Sequence, residues 1–463
     1  MRYVSTRGSA PELGFCEVLL AGLATDGGLY LPEKWPALPD LSATRSYADV
    51  ATAVMSPFIG DEIAPETFAR ICREAYATFR HNAVVPLVQI GSNEWLLEQF
   101  HGPTLAFKDV ALQLVGRLFD HVLSERGQRV TIVGATSGDT GSAAIDAVKD
   151  CHNVDIVILY PFGRTSDVQR RQMTTVDSPN VHTVAVDGTF DDCQDLVKAM
   201  FNDVTFREDM GLSAVNSINW ARVMAQIVYY VTASRSLGAT PDSGVTFSVP
   251  TGNFGNVLSG WIAREMGAPI RDFIVASNAN DILTRFVNGN DMSARDVVPT
   301  VSPSMDIQVS SNFERLLFEM NGRDGGMTAD QLQRFRHTGM LQIEGDQVAQ
   351  WIAPSFRAAR FSDADTLAEI RRVHACSGQL IDPHTATGTA AVHALDATAD
   401  GRPVVTLATA HPAKFPDAVE QATGIRPPLP PHLADIFARD ERLHRIDNDL
   451  ATVQAFVRRA VAH

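Results

Sequence analysis

The chain has 463 residues, which at roughly 150 residues per domain suggests two to four packed units. A formal net charge of -15, with 45% hydrophobic and 20% charged residues, fits a soluble globular protein and not a disordered one. So acidic a balance argues against nucleic acid or an anionic membrane as partner, since both attract basic surfaces. A small anionic ligand stays compatible, because a pocket can be locally basic.

Cys16, Cys72, Cys151, Cys193 and Cys376 are scattered, with no C-x-x-C pair and no zinc spacing. They read as reduced thiols of a cytoplasmic protein, with no metal expected. The N-terminus lacks the apolar stretch of a signal peptide. No run approaches the roughly 18 apolar residues of a membrane span.

Residues 1–80 read as a small, mainly helical domain with a turn at Thr25-Asp26-Gly27-Gly28. Short strands VVPLVQI and NEWLLEQF follow. After Lys108, apolar residues at 110, 114, 118 and 122, with 111, 115 and 119 beside them, predict a helix burying one broad face. Then come strand VTIV, a glycine loop over 134–141, a helix at SAAIDAVKD, strands VDIVILY (154–160) and VHTVAV, and helices over 190–201 and 219–237. The strand–loop–helix pattern returns with VTFSV (245–249), Pro250 to Gly255, and NVLSGWIAREMG. Almost wholly apolar strands alternating with helices predict an α/β fold with parallel sheets covered on both faces. Residues 288–375 read as an insertion, and PVVTLAT (403–409) as a last strand. Pro427, Pro428, Pro430 and Pro431 make a stiff linker. Apolar residues at 450, 453, 457 and 460/461 make 427–463 a helical tail that docks.

Three loops stand where open parallel sheets bind ligands, beyond the carboxyl ends of strands. Gly252 and Gly255 in Pro250-Thr-Gly-Asn-Phe-Gly-Asn256 suit an anion nest at a helix N-terminus. The loop is neither a Walker A sequence nor a G-x-G-x-x-G fingerprint, and ordinary turn chemistry is the competing reading. Gly134 to Gly141 sets Thr136, Ser137, Asp139 and Thr140 on another helix start, where such residues also serve as plain N-caps. The third is Thr409-Ala-His411-Pro-Ala-Lys414. Lys108, preceded by Phe107 and followed by buried-face residues, is a candidate for desolvation. That lowers an amine pKa from about 10.4 and suits Schiff-base chemistry, although a lone lysine is more often a solvated charge.

Taken together, HGPTLAFKD, GATSGDTGSAA and PTGNFGN resemble the threonine synthase family of pyridoxal-phosphate enzymes. YVSTRG, DGGLYLP, NSINWAR, SPSMDIQVSSNFER and AHPAKFP extend the resemblance over nearly the whole chain, and to the longer subgroup with an N-terminal domain. It implies the tryptophan-synthase-β-like fold (fold type II): two doubly wound α/β subdomains within 81–426, with pyridoxal 5'-phosphate between them. It implies that Lys108 holds the cofactor, that Gly252, Asn253, Phe254, Gly255 and Asn256 cradle its phosphate, and that Thr409 meets its ring nitrogen. Asp139 stands where many relatives carry Asn near the 3′-oxygen. Thr136, Ser137, Gly138 and Thr140 are expected on the substrate carboxylate.

The substrate implied is O-phospho-L-homoserine, converted with water to L-threonine and phosphate by a monomer or homodimer. Its phosphate needs a second anion site. Candidates are Arg222 with Ser217 and Asn219, Lys414, Arg164, Arg7, and Thr104 beside His101; His101 and His411 could equally be structural. Two alternatives stay open on residues alone: a phospho-lyase or serine/threonine dehydratase giving 2-oxobutyrate, and a non-catalytic or dinucleotide-binding α/β protein.

Overall fold

Five strands, all paired in parallel, form one sheet in the order His444–Asp447, Val181–Asp187, Val154–Pro161, Val130–Ala135, Leu212–Ser213. Six form the other: Phe356–Arg360, Ile270–Ser277, Val245–Pro250, Val404–Ala408, Glu94–Glu98, Leu87–Gly91, parallel except for the final hairpin pair. Every residue of Val154–Pro161 and of Val245–Pro250 is buried, as strands covered on both faces require. This computed structural model describes residues 1–214 and 216–461.

The chain opens the six-stranded sheet with its hairpin, leaves to build the five-stranded one, and returns at Val245. That excursion sets strand ends of both sheets against helix starts: Ala135 before Asp139–Val148, and Pro250 before Gly255–Glu265. The helix Lys108–Arg126 runs between them. It is buried over nearly all of its length to Leu123, a wider burial than a one-faced pattern predicts, because helices Pro65–Tyr76, Asp139–Val148 and Trp220–Ser236 all pack on it. Gly116 permits the closest crossing, since a Cβ there would stand 2.3 Å from the Ala147 carbonyl oxygen. Gly127, at φ 60°, ends the helix and donates to the carbonyls of Leu123 and Ser124.

The first 80 residues are mainly helical, as predicted: Phe15–Ala21, Tyr47–Ile59 and Pro65–Tyr76, with an antiparallel pair Tyr3–Ser5 and Tyr30–Pro32. Their side chains join the core that holds the Lys108 helix. Trp220, fully buried, donates its indole N–H to the Tyr3 hydroxyl at 3.1 Å.

Two segments differ from expectation. Residues 288–375 include helices Phe313–Met320 and Gly325–Thr338, but they also supply the edge strand Phe356–Arg360. They are a long crossover rather than a mere insertion. The tail does dock a helix, Leu450–Ala460, onto Phe190–Asn202, but it first adds the strand His444–Asp447 to Val181–Asp187. Residues 462 and 463 of the expected tail lie outside the described residues. Among the described residues, no helix is long and apolar enough to cross a membrane.

Candidate active site

The loop before Lys108 is bent by Leu105, held at φ 64°, a left-handed conformation that costs a branched residue strain. The bend is pinned from both sides. Thr104 donates its N–H and hydroxyl to Asp109 at 2.8 and 2.6 Å. Phe107 N–H donates to the Thr409 carbonyl at 2.8 Å, and His411 N–H to the Leu105 carbonyl at 3.0 Å. The strand end Val404–Ala408 is thereby zipped to the start of the Lys108 helix, which brings Thr409 beside it.

Lys108, 8% exposed, points its Nζ at Asp139 Oδ2, 3.1 Å away, and at Ser304 Oγ, 3.4 Å away. Burial pulls its amine below the usual lysine range; Asp139 opposes that, while Lys414 and Arg222 add to it. Asp139 also accepts from Lys414 Nζ at 2.9 Å and from the Gln169 amide at 2.9 Å. Burial pushes the Asp139 carboxyl up, but the two ammonium groups and Gln169 outweigh it and hold the carboxyl well below the usual range. Sequence reasoning did not single out Gln169 or Ser304; Gln169 has no motif of its own, and Ser304 lies in a quoted motif that was given no role.

Around the other loop, Phe254 turns the chain at φ 62° into helix Gly255–Glu265, which no side chain caps among the described residues. Its first N–H groups therefore lack intrahelical acceptors, the arrangement that suits an anion. Gly252 lies against the turn Pro303–Met305: a Cβ there would stand 3.1 Å from the Ser304 carbonyl oxygen and 3.3 Å from Met305 Cα. Ser304 thus touches both the lysine and the glycine loop. The Asn253 carbonyl accepts from Asn312 N–H at 3.1 Å. The Asn256 side-chain oxygen accepts from the Tyr229 and Tyr230 hydroxyls, while its buried amide nitrogen has no partner among the described residues, so the amide and the backbone N–H both remain for a ligand.

The other expected residues divide. Thr136 Oγ1 braces its own loop, accepting from Gly138 and Gly141 N–H at 3.0 and 2.9 Å. Gly138, at φ 140°, sits against the Gln169 side chain. Ser137 is exposed and Thr140 half-buried. Asn219 donates to the Leu19 carbonyl at 2.9 Å and caps helix Trp220–Ser236, and the Ser217 carbonyl accepts from Asn312 at 3.1 Å. Lys414, fully buried, is engaged by Asp139 and by the Thr104 carbonyl at 2.8 Å. Arg7 is paired with Glu314 at 3.1 Å, His101 with Glu98 at 2.7 Å, and Arg164 is exposed.

Arg222 is the exception. It is 3% exposed, and its Nε and Nη1 have no partner among the described residues; burial alone pulls it down to about 10. Buried guanidinium nitrogens without a partner are costly, and the planar fork of donors matches a carboxylate or phosphate bidentately. A buried amine beside an uncapped helix start suits a phosphorylated aldehyde, and a free guanidinium near that amine suits a second phosphate.

Family comparison gives the class. Residues 83–342 match the family model described as pyridoxal-phosphate dependent enzyme, and the fold and site described above agree with membership of that class. Residues 2–76 match the threonine synthase N terminus, and residues 385–457 the threonine synthase C-terminal model. A threonine synthase of Pseudomonas aeruginosa is 54% identical over 462 residues, covering 99% of this chain and 98% of its own. The crystal structure of PLP-bound threonine synthase from Brucella melitensis superimposes with a TM-score of 0.96 at 52% identity, covering all of both chains. That of yeast threonine synthase does so with 0.94 at 39%, covering 100% of this chain and 99% of its own. The chain belongs to the threonine synthase family.

Proposed function

We propose that the protein converts O-phospho-L-homoserine and water to L-threonine and phosphate, with Lys108 holding pyridoxal 5'-phosphate and moving protons. The observation that carries this reading is the pair formed by Lys108, a buried amine of depressed basicity, and Arg222, whose buried Nε and Nη1 have no partner among the described residues. Gly252, Asn253, Phe254, Gly255 and Asn256 would hold the cofactor phosphate through main-chain N–H groups, and Thr409 would meet the ring. Bound there, the cofactor supplies an electron sink for carbon acids.

The leaving phosphate is on Cγ, so protons must leave Cα and then Cβ before it departs, and water must add at Cβ. Lys108 suits the Cα step because desolvation favours its neutral, basic form. Asp139, whose carboxyl is held well below the usual range beside Lys108 and Lys414, remains ionised and holds the Lys108 nitrogen in place. Arg222 would grip the substrate phosphate. Lys414, already engaged, serves the Asp139 charge rather than the substrate. Thr140 and the exposed Ser137 stand at the mouth of the first loop, suited to the substrate carboxylate, while Thr136 shapes that loop from inside.

The same reading treats 1–80 as an appended unit, 81–426 as the catalytic region and 427–463 as a tail. It sets the enzyme in the cytoplasm, as a monomer or homodimer; the five cysteines, all unpaired, support a reducing compartment. The test is product stoichiometry: holoenzyme given O-phospho-L-homoserine should yield one threonine per phosphate released. Release of 2-oxobutyrate in place of threonine would establish a phospho-lyase or serine/threonine dehydratase instead.

A further inference from the structure

Behind the turn that carries Ser304 lies a buried dyad that the reaction as described does not use. Asp382, fully buried, caps helix Pro383–Ala394 and accepts from His384 N–H at 2.9 Å and Thr385 N–H at 3.3 Å. The His384 ring, 3% exposed, sets its Nδ1 2.8 Å from Asp382 Oδ1. Its Nε2 accepts the Ser304 backbone N–H at 3.1 Å. An N–H donor facing Nε2 requires a lone pair there, so the proton sits on Nδ1 and is donated to the carboxylate. A doubly protonated ring would set donor against donor at Ser304. The Phe415 ring packs edge-on to the imidazole at 4.8 Å, and the Thr387 hydroxyl donates to Met305 Sδ at 3.8 Å, so the turn is braced at both Ser304 and Met305.

Ser304 transmits that bracing. Its Oγ accepts from Lys108 Nζ at 3.4 Å and donates to Asp139 Oδ2 at 3.2 Å. We propose that Asp382 and His384 are positioning residues that hold Ser304 as a hydrogen-bond partner of the reacting amine of Lys108. The inference rests on the reading of Lys108 above. The other groups facing that amine, Asp139, Lys414 and Arg222, are charged. Ser304 is a neutral hydrogen-bonding contact, able to accept from the amine while donating its own proton towards Asp139. Its carbonyl against Gly252 ties the same turn to the phosphate loop, so a single imidazole sets the register of both.

Kinetics and the visible absorbance of resting holoenzyme test this together. Ser304→Ala should lower kcat by about tenfold or more, the size of one hydrogen bond to a charged group, with KM for O-phospho-L-homoserine little changed. The pH midpoint of the absorbance band should move down, because a contact favouring the protonated form of the cofactor-bound Lys108 nitrogen is lost. His384→Ala should move both in the same direction. His384→Gln, whose amide oxygen can reach the Ser304 N–H, should recover most of each, and it decides the matter if His384→Ala does not fold. At saturating cofactor, the Ser304→Ala, His384→Ala double variant should show the kcat and midpoint of Ser304→Ala alone, since the histidine acts on the amine through the serine side chain. Multiplying effects, or a lowered Tm with kcat and midpoint both unchanged, would overturn the proposal. Borohydride fixation of the cofactor to Lys108 in the same samples separates its failure from failure of the underlying reading.

Discussion

Replacing Arg222 by Met is expected to weaken substrate binding without weakening the fold. The guanidinium is buried, with Nε and Nη1 unpartnered among the described residues, and exchanging a buried charge for an apolar side chain of similar volume is often neutral or stabilising. KM for O-phospho-L-homoserine should rise about tenfold or more, because charge-assisted hydrogen bonds to phosphate are lost, while Tm holds or rises. A fall in Tm with KM unchanged would make Arg222 structural. His411 gives a prediction of another kind. Burial, with His101 nearby, brings its imidazole down to about 4 from the ordinary histidine value of 6.5. The unfolded chain therefore binds the proton more readily between those values, and stability drains away as pH falls from 6.5 towards 4. His411→Asn keeps an acceptor for the Ala413 N–H that His411 Nδ1 now receives at 3.1 Å. Urea unfolding of this variant should show a flatter loss over that pH window. Residues such as Lys108, Asp139 and the glycine loop were legible because they lie in contiguous motifs. Gln169, Ser304 and His384 were not, because only the folded chain brings positions 169, 304 and 384 to one carboxylate and one turn.

Among the elements, the Lys108 helix shows both what periodicity reveals and what it omits. Apolar spacing at 110, 114, 118 and 122 located it, but a 3.6-residue pattern names one buried face, whereas three helices cover this one. Its closest approach depends on Gly116. Gly116→Ala would drive a methyl to 2.3 Å from the Ala147 carbonyl, which is backbone and cannot turn aside. Overpacking of this kind costs about 1–3 kcal/mol. Because Ala147 belongs to the helix that begins at Asp139, cofactor affinity should fall along with the urea midpoint. The strand His444–Asp447 escaped notice for the opposite reason: three of its four residues are exposed and only Ile446 is apolar, so it carries neither alternation nor a hydrophobic run.

Across the whole molecule, the tail ties distant parts of the site together. Leu433 and Ile436 pack on Leu105 in the bent loop before Lys108. Glu441 pairs with Arg170 and Arg171 and accepts from the Thr174 hydroxyl, on the helix that supplies Gln169 to Asp139. Removing residues 427–463 should lower Tm and loosen cofactor binding. It should also cause aggregation visible by light scattering, because Val181–Asp187 becomes an open sheet edge. A truncated protein that stays monodisperse with full cofactor affinity would show the tail to be an ornament. The acidic total of -15 fits a phosphate-handling site of this design. In the proposed reading one phosphate would be met by main-chain N–H groups, and the other would need a few buried cations rather than a basic surface.

The central claim is that Lys108, and not its neighbour, bears the cofactor. Two buried lysines share Asp139, at 3.1 Å for Lys108 and 2.9 Å for Lys414, so geometry near that carboxylate offers two amines. Reducing the holoenzyme with borohydride and mapping the peptides by mass decides between them. The pyridoxyl group is predicted on the peptide containing Lys108; its appearance on the Lys414 peptide, or on neither, would contradict the assignment.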